Sequence, residues 1–135
     1  MKKMMIIFCL ISTIVKAEIQ CEEAGGILAV GGDGQTRYCA SRQTMNWWSA
    51  FSWCNAVGGK MFDLTTECQK AVYPVPCPQL WGARSVFGDG YYWTTNVADS
   101  TYALAQHTAG HMYPSRMSKD ERGSARVLCT MPSSH

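Results

Sequence analysis

Between Asn46 and Val57 the residues Trp47, Ala50, Phe51, Cys54 and Val57 recur at i, i+3, i+4, i+7 and i+10, the spacing that lines one buried face of an α-helix. Thr44 or Asn46 can cap its start and Gly58-Gly59 suits its end. The pattern therefore predicts the main helix over residues 46–57, with Cys54 turned to the core. Upstream, Ile27-Leu28-Ala29-Val30, a Gly31-Gly32-Asp33-Gly34 turn and Gln35 to Ala40 together predict a β-hairpin of residues 27–30 and 35–40. Residues 60–64 read as a short extended stretch and residues 63–69 as a brief helical turn. Tyr73-Pro74-Val75-Pro76-Cys77-Pro78 carries three prolines in five positions, which forbids regular structure there. From Gly88 onward the text changes to strands, over residues 91–95, 101–107, 111–117 and 125–131, separated by Asp, Asn, Gly and Ser turns. One strong helix with short strands makes an α+β domain with an antiparallel sheet.

The first seventeen residues stand apart from this pattern. Lys2 and Lys3 precede an uncharged, mostly apolar run from Met4 to Val15, and Val15-Lys16-Ala17 places small or aliphatic residues where a signal peptidase reads. That is the layout of a cleavable secretion signal, and the run is shorter than the roughly 20 residues a spanning helix needs. Glu18-Ile19-Gln20 before Cys21 argues against lipidation, and no later stretch of the sequence could span a bilayer. Residues 18–135 are expected to form one domain, secreted or periplasmic, without stable membrane insertion.

Removing that segment changes the charge. The whole chain carries +2, but Lys2, Lys3 and Lys16 lie in the signal, leaving nine basic residues against ten acidic ones. Nucleic acid and anionic membrane surfaces thereby lose their electrostatic argument as partners. Removal also takes Cys9, and Cys21, Cys39, Cys54, Cys68, Cys77 and Cys129 remain, an even set that reads as a disulfide framework. Antiparallel pairing of the hairpin brings Cys21 and Cys39 together. Cys68 and Cys77 bracket the proline-rich loop and most simply bridge each other. Zinc is disfavoured, because the chain has no C-x2-C pair.

The stretch Met45-Asn46-Trp47-Trp48-Ser49-Ala50, followed by Trp53-Cys54-Asn55-Ala56-Val57-Gly58-Gly59-Lys60-Met61, resembles the first helix of C-type-lectin-like domains. Tyr92-Trp93-Thr94 looks like a core strand of the bacterial members, and Arg126-Val127-Leu128-Cys129 like their closing strand. The resemblance implies that Cys54 bridges Cys129, and that an N-terminal hairpin carries its own bridge, Cys21–Cys39. Cys68–Cys77 is not a general family feature. Sugar-binding members hold calcium through Glu-Pro-Asn or Gln-Pro-Asp and Trp-Asn-Asp triplets, none of which occurs here: Pro78-Gln79 has the wrong order and Trp93-Thr94-Thr95-Asn96 lacks the adjacent carboxylate. Calcium-dependent sugar binding is not expected, and no cofactor is.

The candidate chemistry is that of recognition. Trp47 and Trp93 read as core, whereas Trp48 lies about 100° further round the helix and is a candidate ligand contact, the alternative being packing beneath the hairpin. In the second half, Tyr113, Arg116, Lys119, Asp120 and Arg122, with Glu121, make a polar tip on variable loops, where binding residues concentrate. His107 and His111 flank a hairpin tip and are weak metal candidates, since no third ligand can be named. Catalysis has little support: the cysteines are consumed in bridges, no serine sits in a Gly-x-Ser-x-Gly elbow, and Asp89, Asp99, Asp120 and Glu121 lie in turns. The expected function is a calcium-independent binding or adhesion module for an extracellular protein or glycan. The alternatives are a structural subunit of a cell-surface appendage and a small secreted hydrolase.

Overall fold

A computed structural model describes residue 16 and residues 18–68, 77–108 and 114–132. The expected signal segment apart from Lys16, the loop up to Pro76, and the tip carrying His111 and Tyr113 lie outside the described residues.

Seven strands form one sheet: β1 (Gly26–Val30), β2 (Arg37–Ser41), β3 (Lys60–Met61), β4 (Tyr91–Val97), β5 (Tyr102–His107), β6 (Ser115–Ser118) and β7 (Ala125–Thr130). Their order is β1-β2-β7-β4-β5-β6, and β3 also pairs with β7. Besides a helical stretch over residues 18–23 that leads into β1, the helices are α1 (Trp47–Ala56), α2 (Leu64–Glu67) and α3 (Trp81–Phe87), the last led in by a 3-10 turn, Pro78–Leu80. The fold is therefore α+β, with two corrections. The sheet is not wholly antiparallel, because β7 runs parallel to β4 while every other pair is antiparallel. After β6 the chain does not turn back in a hairpin but crosses to the far side of β4, and it re-enters in β4's own direction. The second correction is α3, in a stretch where no element was expected.

The main helix begins where Asn46 caps it, its side chain accepting from Ser49 N at 2.8 Å. It ends at Gly58, whose φ of +80° suits a residue without Cβ. Its inner face is Trp47, Ala50, Cys54 and Val57, all buried, but Phe51 is exposed and stacks on Trp47 at 5.7 Å between centroids. Phe51 sits at the rim of the stripe, outside the core cluster that Trp47, Ala50, Cys54 and Val57 form with Trp93, Ala103, Ala105 and Val127. Trp93 is fully buried and donates from Nε1 to Met45 O, and Trp47 donates from Nε1 to Thr94 O at 2.9 Å. A second core cluster joins Tyr38, Phe62, Leu80, Ala83, Tyr92 and Leu128 on the other side of the sheet.

Three disulfides are formed: Cys21–Cys39, Cys54–Cys129 and Cys68–Cys77. Cys39 and Cys129 face each other in the β2–β7 register, so two bridges converge on adjacent strands. Bridges of this kind persist in oxidising compartments. No helix among the described residues is long and apolar enough to cross a membrane.

The β1–β2 turn is anchored rather than free. Asp33 accepts from the amides of Gln35 and Thr36 and from the Thr36 hydroxyl, at 3.0, 2.9 and 2.6 Å. Its own N–H donates to Oε1 of the buried Gln79 at 2.8 Å, and Gln79 Nε2 donates to Tyr38 Oη at 2.9 Å. The hairpin is thereby fastened to the 3-10 turn that starts α3.

Candidate ligand-binding site

The residues singled out from sequence divide into a cluster that meets in space and others that do not. The cluster forms where the crossover after β6 passes the start of α1. There Trp47 N donates to Lys119 O at 3.0 Å, and Lys119 N donates to Thr101 O at 2.9 Å. These bonds pin the segment between helix and sheet. They also drive the lysine stem inward: Lys119 is only 6 % exposed, so it is not part of a solvated tip as expected. Its ammonium lies 4.8 Å from the ring centroid of Trp47 and 5.0 Å from that of Trp48, and the two indoles meet edge-to-face at 4.9 Å. Aromatic faces attract a cation through their quadrupole, while the aliphatic stem packs as an apolar group.

Trp48 is 54 % exposed: it faces solvent and does not pack under the hairpin. A shallow groove of about 470 Å³ runs from it along the outer face of α1, lined by Ser49, Ser52, Trp53 and Ala56. Trp53 is held by a bond from Nε1 to Ala24 O at 3.2 Å.

Arg116 on β6 does not join this cluster: it pairs with Leu104 between the core-facing Ala103 and Ala105 and so lies on the sheet face away from α1, where it forms an ion pair with Asp99 and lies 4.5 Å over the ring of Tyr102. Asp99 is held ionised below its usual range by the amides of Thr101 and Tyr102, with Arg116 adding to the effect. Asp99 is thus a turn-forming carboxylate. Asp120, Glu121 and Arg122 are exposed in the turn that follows Lys119. His107 stands edge-on to Tyr91 at 4.8 Å, while His111, its expected opposite, lies outside the described residues, as does Tyr113. Among the described residues no group of three His, Cys, Asp or Glu is placed to hold a metal ion. Asn96 is engaged elsewhere, its Oδ1 accepting from Leu64 N at 3.0 Å to anchor α2.

Two features escaped sequence reasoning. The partnership of Lys119 with the tryptophans spans more than seventy residues of chain and leaves no local signal. Tyr92 looked like an aromatic strand residue, yet its hydroxyl is buried with no hydrogen-bond partner, and burial pushes its pKa up to about 12 despite the opposing charge of Arg126. Comparison with known proteins adds nothing: no family model, no curated protein and no solved structure matches the chain.

Proposed function

We propose that residues 18–135 are an exported, calcium-independent binding module of the C-type-lectin-like type, recognising an extracellular protein or glycan through the surface where α1 meets the β5–β6 end of the sheet. The observation that carries this reading is the convergence of an exposed indole, Trp48, with Lys119 on a disulfide-stapled scaffold. Exposed aromatic side chains on rigid elements are among the groups on which binding energy concentrates. The resemblance to C-type-lectin-like domains is supported by the bridge from α1 to the last strand and by an N-terminal hairpin closed by its own bridge. Asn96, at the end of Trp93-Thr94-Thr95-Asn96, is spent on α2, which favours recognition without calcium. Export is supported by the three bridges.

The test is retention on a panel of immobilised glycans and extracellular proteins, run with and without a calcium chelator. The wild-type domain is expected to bind at least one surface equally in both conditions. A Trp48→Ala variant with an unchanged melting temperature is expected to lose that binding. Binding abolished by the chelator, or undiminished in Trp48→Ala, would overturn the proposal.

A further inference from the structure

The start of α1 is an electropositive corner that no acidic residue of its first turn offsets. The first amides of a helix lack intrahelical acceptors, and its N-terminus behaves as a partial positive charge. Natural helices commonly answer this with an acidic residue, but the first turn of α1 contains none. Trp47 N is satisfied by Lys119 O and Ser49 N by the Asn46 side chain, whereas Trp48 N–H has no acceptor among the described residues. Onto this corner the fold brings a second positive group. The Lys119 side chain, nine-tenths buried, reaches the indoles of the first two helical residues, and no carboxylate lies within ion-pair distance of it among the described residues. An ammonium beside a helix N-terminus is electrostatically unfavourable, and two indole faces offset it only in part. An anion would relieve both charges at once.

On these grounds, and resting on the binding reading above, we infer that this corner is an anion site for the carboxylate of an acidic sugar, whose ring covers Trp48. The carrier of the anion has to cover an exposed flat apolar surface as well as deliver its charge. A hexuronate residue does both, because its carboxylate is fixed on a ring that presents a C–H face. A peptide carboxylate sits on a flexible stem and loses more conformational freedom on binding. The groove from Trp48 past Ser49 and Ser52 to Trp53 continues the site along α1, offering hydroxyls and a second indole to an adjoining sugar unit.

The experiment is calorimetric and fluorescence titration of the purified domain with a hexuronate trisaccharide. The comparison ligands are the neutral hexose trisaccharide, an acidic hexapeptide and inorganic phosphate. Saturable binding of the hexuronate is expected, with quenching of tryptophan emission, weakening as salt is raised. Loss of the charge in Lys119→Met, which keeps the buried stem, is expected to weaken binding on the order of ten-fold or more, and Lys119→Arg to restore part of it. Trp48→Ala, at an exposed position, gives an independent reading that does not depend on the stability of the Lys119 variants. Equal affinity for the neutral sugar, the peptide or bare phosphate would overturn the inference, as would unchanged hexuronate affinity in Lys119→Met. Absence of hexuronate binding would overturn it too, and if chelator-insensitive capture by the panel persisted, the broader binding reading would stand.

Discussion

Asp33 and Lys119 both belong to sequence stretches that look like solvated turns, and the structure gives them opposite fates. Asp33 stays partly open to solvent yet is over-supplied with donors. Burial works against its charged form, but the Thr36 hydroxyl, the amides of Gln35 and Thr36 and the Gln79 side chain outweigh it and hold the pKa at about 2, below its usual 3.8. Because the folded value lies below the unfolded one, the stabilisation is complete above about pH 4 and is lost as pH falls through about 2. The shift corresponds to about 2 kcal/mol, which solvent screening at the turn reduces to on the order of 1 kcal/mol. Asp33→Asn is therefore expected to lower the urea midpoint at pH 7, with the difference from wild type shrinking between pH 4 and pH 2. An equal loss at both ends would mean that the turn depends on shape rather than charge. Lys119 shows the reverse: a lysine beside Asp120, Glu121 and Arg122 reads as one more exposed charge, and only the bonds of its own backbone to Trp47 and Thr101 turn the side chain inward.

Helix α3 illustrates how an element can hide. Its run Trp81-Gly82-Ala83-Arg84-Ser85-Val86-Phe87 follows a proline-rich stretch, has no side-chain cap and carries a glycine in its interior, so local propensity argues against it. Tertiary contact supplies what propensity lacks: a Cβ on Gly82 would stand 1.9 Å from Val30 O, so the helix lies directly on the β1 backbone. Gly82→Ala, normally favourable in a helix, is expected to destabilise the domain by about 2 kcal/mol or more, measured by chemical denaturation. A stabilising effect would show that α3 does not pack this closely. By contrast α1 was legible because period, cap and stop agree in one stretch, and the β1–β2 hairpin because its turn chemistry is local. The site was half legible. Trp48 and Lys119 were each marked by residue type, but their meeting depends on the path the chain takes after β6 past the start of α1, and no local pattern encodes that path; Arg116, marked in the same way, lies on the other face of the sheet.

At the scale of the whole molecule, the bridges carry a large share of the stability. The loop-closure argument gives about 3 kcal/mol each for Cys21–Cys39 and Cys68–Cys77 and about 4.5 kcal/mol for Cys54–Cys129, as upper expectations, against a net stability of order 5–15 kcal/mol for a domain. Cys54→Ala/Cys129→Ala is accordingly expected to lose more stability in urea than Cys21→Ala/Cys39→Ala. The reverse order would mean that packing of α1 on the sheet, rather than chain entropy, sets the effect of its bridge. The convergence of these two bridges on β2 and β7 also dictates how the domain bears tension. A pull applied between Cys21 and Cys129 passes through one disulfide to Cys39, along the chain to Cys54, and through the second disulfide to Cys129. Only that short span can be paid out, roughly 50 Å at full extension. The tensioned span includes the start of α1 and Trp48, whereas the crossover that bears Lys119 lies outside the load path, so a pull of this kind would have to part β2 from β7, where Cys39 and Cys129 face each other, before it could draw Trp48 away from Lys119.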